Sequence, residues 1–381
     1  MTMEITGARV LLDGLEATNV SLEGDRIAAV GAAAKPAGLT IHAAGCLVLP
    51  GIVDSHGDAF ERHIMPRPGV SFDLDLALRD ADRALLASGI TTAFHGVTWS
   101  WEPGLRGAEN ARRLVERIAA LQPELGADTR FHMRHETFNL DAEEEIARWL
   151  EQGHIGVLAF NDHMEGTLKS QNRPDKIGKM VERTGLSHAD FLALVERVYA
   201  RSGEVPGSVA RLAEAARRAG VPIMSHDDAT PAMRRSYREL GVTLAEFPIN
   251  VETAQEAASA GEAIVFGAPN VVRGGSHTGW TSAEEMVRAG LCTILASDYY
   301  YPALPLAPFL LADRGAATFP AAWKLVSENP AMALGLTDRG CIAPGLRADL
   351  VIVRPEPTPR VVATIAAGRL VHLADPSLLG G

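Results

Sequence analysis

Histidine and carboxylate residues whose spacing suits metal chemistry open the central part of the chain. The run Leu47-Val-Leu-Pro-Gly-Ile-Val-Asp-Ser-His-Gly-Asp58 is largely apolar until it presents His56 and Asp58. Side chains alternate between the two faces of a strand, so these two residues point the same way. An imidazole and a carboxylate directed together from the end of a buried strand form half of a metal site. By itself, the pair fits equally well a polar loop in which the histidine is only hydrogen-bonded.

Comparable residues follow other buried runs of the sequence. In the run 131–138, His132, Arg134 and Glu136 share one face, and Glu136 is the nearest of them to the end. The remaining candidates lie at or just past the end of a run: His163, His226 and Asp298. A single residue of this kind is more often an ordinary loop residue than a ligand. Six in matching positions are hard to explain as independent coincidences, so we predict one shared site.

Strand and helix signals alternate between the two ends of the chain. The buried runs cover residues 47–54, 90–97, 131–138, 155–162, 221–227, 243–248, 263–269 and 292–299. Amphipathic stretches follow most of them, at 75–88, 108–121, 142–152, 208–219 and 282–289. Eight such units predict a closed (β/α)8 barrel, in which active sites lie at the carboxyl ends of the strands. A doubly wound open sheet is the structural rival, but no G-x-G-x-x-G follows any of the runs.

Both ends of the chain contain short runs in which apolar and polar residues alternate, separated by dipeptides that favour turns. They predict one small β-sandwich domain built from residues 1–49 and 341–381, with the barrel spanning 50–340. The segment 164–186 is rich in Lys, Arg, Asn, Gln and Gly, and we predict an irregular loop there, either a lid or a disordered segment.

Composition excludes several function classes. The formal net charge of the 381 residues is −11, which argues against general binding to nucleic acid or to an anionic membrane. No charged and apolar leader and no apolar run of membrane-spanning length is visible. Cys46, Cys292 and Cys341 form no CxxC pair, so we predict reduced cysteines in a cytoplasmic protein. Composition leaves open whether the chain forms homo-oligomers.

The six candidate ligands suit two divalent metal ions. Two such ions carry four positive charges, which three carboxylates and a bridging hydroxide balance, so a buried site stays near neutrality. The two oxygens of Glu136 would let it bridge both ions. Imidazoles beside carboxylates suit Zn, Mn or Fe. A bridging hydroxide would be the nucleophile, and Asp298 would be the general base that accepts its proton.

Several strings resemble one enzyme family. Pro-Gly-Ile-Val-Asp-Ser-His at 50–56 resembles the amidohydrolase superfamily, whose usual His-x-His opening is His-x-Asp here, as in PhnM-like members. The narrower resemblance, to the PhnM family of the carbon–phosphorus lyase pathway, rests on the strings at 56–58, 63–68, 225–230, 246–248, 267–277 and 297–300. It implies hydrolysis of α-D-ribose 1-methylphosphonate 5-triphosphate to the 5-phosphate, with attack at the α-phosphorus and release of diphosphate.

A small polyanionic substrate of this kind requires cationic residues beside the metals. Diphosphate is a fairly good leaving group, so neutralising its charge matters more than a strong general acid. Arg67 and His63 follow the first run, and Arg273 and His277 follow the seventh. We predict that these four residues bind the substrate phosphates.

Two other function classes stay open at this stage. An amidohydrolase acting on a C–N bond, in a cyclic amide or an N-acyl compound, could use the same metals, because a metal-held hydroxide attacks carbon or phosphorus. The arginines favour phosphate over that alternative. A barrel that had lost catalysis and served as an interaction protein would lack ligands, and none of the six is missing.

Overall fold

The computed structural model describes residues 2–31, 38–67, 69–170, 174–275, 279 and 281–380. In chain order the strands are β1 (Thr2–Thr6), β2 (Arg9–Leu11), β3 (Leu15–Ala17), β4 (Val20–Glu23), β5 (Arg26–Val30), β6 (Leu39–His42), β7 (Leu47–Pro50), β8 (Ile52–Gly57), β9 (Ile90–Trp99), β10 (Asp128–Glu136), β11 (Val157–Asn161), β12 (Ile223–His226), β13 (Leu244–Glu246), β14 (Ala263–Gly267), β15 (Ile294–Ala296), β16 (Leu350–Arg354), β17 (Arg360–Ala366) and β18 (Arg369–Leu373).

The α-helices are α1 (Glu61–Ile64), α2 (Leu74–Ala87), α3 (Ala108–Leu121), α4 (Glu143–Glu151), α5 (Met164–Ser170), α6 (Pro174–Thr184), α7 (His188–Tyr199), α8 (Val205–Arg218), α9 (Pro231–Glu239), α10 (Val251–Ser259), α11 (Ala268–Arg273), α12 (Ala283–Arg288), α13 (Ala303–Asp313), α14 (Phe319–Lys324) and α15 (Glu328–Ala333). Among the described residues, none of these helices has the length and apolar character needed to cross a bilayer.

Strands β8 to β15 form one parallel sheet in sequence order, and its two edges meet. The amide of Asp58 donates to the carbonyl of Asp298, and the amide of Asp298 donates to the carbonyl of His56, both at 2.9 Å. The predicted (β/α)8 barrel is therefore confirmed. Its lower interior is apolar, with Val53, Phe94 and Val157 in one buried cluster. Polar side chains occupy the upper interior, where the strands end.

The run predicted as one strand at 47–54 is two strands that belong to different sheets. Strand β7 pairs with β2 and β16 outside the barrel, whereas β8 pairs with β9 inside it. Gly51 lies between them, and a Cβ at this position would stand 2.4 Å from Oγ1 of Thr91. Only glycine fits this close approach, so the chain can change sheets within a single residue.

Both ends of the chain build the two remaining sheets. One has the order β5-β4-β1-β6, and the other has the order β18-β17-β16-β7-β2-β3. Their facing side chains share one buried core, which includes Ile5, Leu22, Val48 and Ile352. The domain boundaries given above stay a prediction.

The expectation of an irregular loop at 164–186 is wrong for the described part of that segment. It forms α5 and α6, with residues 171–173 outside the described set. Met164 and Ile177 pack into a buried cluster with Phe191 and Val195 of α7. These few apolar contacts stabilise helices in a segment whose overall composition is polar, because packing of one face decides helix formation more than composition does.

Candidate metal centre

A buried carboxylate at the end of β13 holds two of the predicted histidine ligands. Nδ1 of His56 lies 2.7 Å from Oε1 of Glu246, and Nδ1 of His226 lies 2.7 Å from Oε2. Both Glu246 oxygens are thus engaged, and the side chain is fully buried. Burial by itself would raise the pKa of Glu246, but the charge of His56 and the hydrogen bonds from both histidines hold that pKa well below its usual value. An ionised Glu246 accepts both Nδ1 protons, which leaves each Nε2 as a potential metal ligand.

A second carboxylate–histidine pair joins β10 to the end of β11. Nδ1 of His163 lies 2.6 Å from Oε1 of Glu136, and the His163 amide is 3.4 Å from Oε2. The Glu136 charge is the main cause that raises the pKa of His163 to about 10. In this arrangement Glu136 orients His163 in the way that Glu246 orients His56 and His226. The role of Glu136 as a bridging ligand stays a prediction.

Two groups of donor atoms at the barrel mouth are suited to hold a metal ion. In one, ligand atoms of His56, Asp58 and Asp298 all lie within 4.8 Å of one another. In the other, Oδ2 of Asp227 lies 3.7 Å from Nε2 of His163 and 3.6 Å from Nε2 of His226. A third group, His56, His226 and Glu246, also meets the distance condition. We regard that group as an orienting network, because hydrogen bonds already occupy both Glu246 oxygens.

Residues just past the ends of β12, β13 and β15 adopt a backbone conformation that residues other than glycine rarely adopt. Asp227, Phe247 and Asp298 have φ angles of 60°, 54° and 53°. This left-handed conformation costs free energy and concentrates at functional sites. The Phe247 ring packs edge-on against both His56 and His226, with ring centroids 5.2 and 5.3 Å away. Burial raises the pKa of Asp298, the nearby His56 charge lowers it, and Asp58 raises it further.

Unpaired polar atoms in the upper barrel fit the presence of a polar occupant. Both ring nitrogens of His132 and both amide atoms of Asn161 are buried without a hydrogen-bond partner among the described residues. Asn161 lies level with Glu136 in the register of β10 and β11. Such groups are costly to bury unless a bound ion, water or ligand group satisfies them. Together with the nitrogen and oxygen donors, they match the chemistry of a divalent-metal site.

The shape of the centre depends on a buried arginine and on a glycine. Nη2 of Arg134 is 3.1 Å from Nε2 of His226, and its Nη1 is 3.5 Å from Asp58. A Cβ at Gly96 on the adjacent strand would stand 3.2 Å from Cδ of Arg134 and 3.5 Å from the His56 ring. A glycine at this position therefore leaves room for the buried Arg134 side chain, whereas the His56 ring would be at ordinary contact distance.

Hydrogen bonds from Ser297, which follows β15, to Asp54 of β8 link the first and last strands of the barrel. Oδ1 of Asp54 accepts the Ser297 amide at 2.9 Å, and its Oδ2 accepts the Ser297 hydroxyl at 2.5 Å. Ser297 precedes Asp298, and Asp54 lies two residues before His56, so these bonds determine the relative position of the two predicted ligands.

The predicted substrate ligands lie in different surroundings. Nδ1 of His63 contacts Asp80 of α2 at 2.9 Å, on the outer side of the rim. Arg67 is exposed in a turn with Val70. Nη1 of Arg273 is 3.3 Å from the Tyr299 hydroxyl. His277 lies outside the described residues.

A cavity of about 1010 Å³ lies beside the donor groups rather than over them. It is lined by residues that follow β9 and β10 and by α7, including Trp99, Trp101 and Asn139, and none of the donor residues lines it. Trp99 packs against Trp149 and Trp101 against Phe191, at centroid distances of 5.2 and 6.1 Å.

Sequence reasoning missed Glu246 and Asp227 as members of the site. Glu246 lies in the sixth buried run, 243–248, as the only charged residue after its apolar part, and that signal could have found it. Asp227 directly follows His226, and alternation would direct it away from the histidine. Only its left-handed backbone brings the two side chains to the same place.

A closed parallel barrel with histidine and carboxylate donors at the carboxyl ends of its strands is the architecture of amidohydrolase-type enzymes. A family model described as the amidohydrolase family matches residues 73–372. The α-D-ribose 1-methylphosphonate 5-triphosphate diphosphatase of Escherichia coli (strain K12) is 34% identical over 320 residues, which are 81% of this chain and 83% of that protein. The chain belongs to the amidohydrolase family and, within it, to the PhnM-like branch of that diphosphatase, as the resemblance implied.

Solved structures agree with this assignment at the level of the fold. A D-hydantoinase has a TM-score of 0.66 at 14% identity, covering 100% of this chain and 97% of that one. The N-isopropylammelide isopropylaminohydrolase of Burkholderia multivorans ATCC 17616 has a TM-score of 0.65 at 19% identity, covering 98% and 99%. The family match and the E. coli relative show that the protein is a hydrolase, and its histidine and carboxylate groups are able to hold metal.

Proposed function

We propose that this hydrolase cleaves α-D-ribose 1-methylphosphonate 5-triphosphate to the 5-phosphate and diphosphate. The strongest support is the relationship to the E. coli diphosphatase over most of both chains. The geometry adds support, because two donor groups meet beside a rim that carries arginines. The free cysteines support the predicted cytoplasmic location.

We infer that each donor group holds one divalent ion, which is Zn, Mn or Fe by the preferences of its ligands. His56, Asp58 and Asp298 would hold one ion, and His163, His226 and Asp227 would hold the other. When bound, such ions bring the pKa of a water molecule to about 7 and offset phosphate charge.

The side chains of the chain itself would then orient the reactants and move the proton. Glu246 keeps the two histidine rings in the tautomer that directs Nε2 to the metal. A carboxylate oxygen of Asp298 accepts the proton of the attacking water. The water oxygen forms a bond to the α-phosphorus while the bond from that phosphorus to the α,β-bridging oxygen breaks. The electron pair of the broken bond leaves on that oxygen, as part of diphosphate.

The test supplies the metal-loaded protein with two substrates in separate assays. One is the ribose triphosphate, assayed for diphosphate, and the other is a cyclic amide, assayed for the ring-opened acid. We expect kcat/KM for the triphosphate to exceed that for the amide by at least about 100-fold. Ring opening without diphosphate release would instead assign the protein to C–N hydrolysis. Asp298→Asn is the control for contaminating phosphatase, because it should remove turnover that belongs to this site.

A further inference from the structure

Two arginines meet at one tyrosine on the rim of the barrel. The guanidinium carbon of Arg62 lies 5.8 Å from the centroid of the Tyr299 ring. From the other side, Nη1 of Arg273 lies 3.3 Å from the Tyr299 hydroxyl. We call Arg62, Tyr299 and Arg273 the arginine–tyrosine cluster.

The two arginines differ in their surroundings from the arginines on the outer helices. Arg117 pairs with Asp75, and Arg238 pairs with both Glu256 and Glu262. In contrast, no carboxylate of the described residues lies within 4.0 Å of Arg62 or Arg273. The chain has 47 acidic and 36 basic residues, so partners are plentiful elsewhere. Two cations brought close to one ring without a carboxylate form a site suited to an external anion.

The three residues of the arginine–tyrosine cluster follow strands that are neighbours around the barrel, and two of these strands lead into metal-centre donors. Arg62 belongs to α1, which follows β8, and Arg273 ends α11, which follows β14. Tyr299 comes one residue after Asp298, past the end of β15. Strands β14, β15 and β8 are neighbours around the barrel, and the last two are joined by the Gly57–Asp298 bridge. The cluster therefore stands on the same sector of the rim as the donors His56, Asp58 and Asp298.

We propose that the arginine–tyrosine cluster binds diphosphate, which is the β- and γ-phosphoryl part of the substrate before cleavage and the leaving group after it. This inference rests on the proposed function. Guanidinium groups bind phosphoryl oxygens through paired hydrogen bonds, and two of them suit the several negative charges of diphosphate. The tyrosine ring lies against the Arg62 guanidinium, and the tyrosine hydroxyl accepts a hydrogen bond from Arg273, so Tyr299 positions both arginines.

The cluster extends the set of phosphate ligands predicted from the sequence. That set contained Arg273, Arg67, His63 and His277. The cluster adds Arg62 and Tyr299, and it assigns a specific part of the substrate to this sector. The exposure of both arginines means that changing them should leave the fold intact, so their effects on binding can be measured directly.

The test measures binding of inorganic diphosphate and of inorganic phosphate to the metal-loaded protein by calorimetry, with product inhibition measured in parallel. The variants are Arg62→Gln, Arg273→Gln and Tyr299→Phe, and the matched control is Arg83→Gln, an exposed arginine on α2. We expect each arginine variant to raise the dissociation constant of diphosphate about tenfold or more. Tyr299→Phe should weaken diphosphate binding about threefold to tenfold. The control should match the wild type. Binding of inorganic phosphate should change much less, because one phosphoryl group carries less negative charge and offers fewer oxygens to the two guanidinium groups than diphosphate does.

The outcomes separate this inference from the proposed function. If the protein releases diphosphate from the triphosphate but all three variants bind diphosphate within about twofold of wild type, the cluster is not the site and the function stands. If equal losses occur for phosphate and diphosphate, the cluster acts as a general anion attractor, and the assignment to diphosphate is overturned. If the triphosphate is not cleaved at all, the proposed function fails, whichever affinities are found.

Discussion

Replacing Glu246 by glutamine should weaken metal binding although this residue is not itself a proposed ligand. Glu246 accepts hydrogen bonds from the Nδ1 atoms of His56 and His226, each at 2.7 Å. Glutamine has nearly the same shape but offers one oxygen and one NH2 group. Its oxygen can keep one histidine in place. The NH2 group then faces the Nδ1–H of the other ring, donor against donor.

That second histidine must move its proton from Nδ1 to Nε2, because only then can Nδ1 accept from the amide. The proton blocks the nitrogen that would bind metal. Loss of such an orienting partner costs about 10- to 100-fold in metal affinity, which corresponds to roughly 1.4–2.7 kcal/mol. The variant also loses charge-assisted hydrogen bonds worth about 1.5–3 kcal/mol each in a fully buried place. We therefore expect weaker metal binding and a lower melting temperature together.

Equilibrium dialysis against buffered metal, followed by metal analysis, measures the affinity, and thermal unfolding of chelated protein measures the stability. Glu262→Gln is the matched control. Glu262 is also largely buried and paired, to Arg234 and Arg238, but it lies outside the barrel interior. It should lower stability without changing metal affinity. If Glu246→Gln bound metal within about twofold of wild type, Glu246 would not control the histidine tautomers, and the reasoning would be refuted.

Three further predictions concern the same centre. Asp298→Asn should keep most of the bound metal in metal analysis but lower kcat by about 100-fold or more, as expected for a general base; unchanged kcat would remove that role. Gly96→Ala should push on the buried Arg134 side chain and cost about 1–3 kcal/mol of unfolding free energy, read from denaturant unfolding, together with activity; a neutral variant would contradict the close packing. Exhaustive chelation should abolish diphosphate release, and added divalent metal should restore it, whereas full activity after chelation would exclude metal dependence.

Much of the barrel was predictable because its signals are local. Each buried run and each amphipathic stretch can be recognised within about a dozen residues, and their alternation leaves few folds to choose from. The errors arose where local signals were ambiguous. One apolar run at 47–54 held two strands of different sheets, separated by Gly51, and polar composition at 164–186 concealed the packing of Met164 and Ile177.

Local sequence signals identified only some of the residues that form the site. His56, Asp58, His226 and Asp298 could be chosen because each lies at or just past the end of a strand, and the barrel brings such ends together. The position of Asp227 required a left-handed backbone angle, which no residue type signals reliably outside glycine. The contact of Tyr299 with Arg62 and Arg273 required segments that follow three different strands to meet.

The sequence by itself determined the architecture, the family and most of the residues from which a metal centre could be made, because strand periodicity and short motifs are properties of neighbouring residues. Tertiary structure alone decided which side chains touch. His56 and Glu246 are 190 positions apart, yet their hydrogen bond directs a metal ligand. Contacts of that kind depend on barrel closure, strand register and single backbone angles, and these are set by the packing of the whole chain.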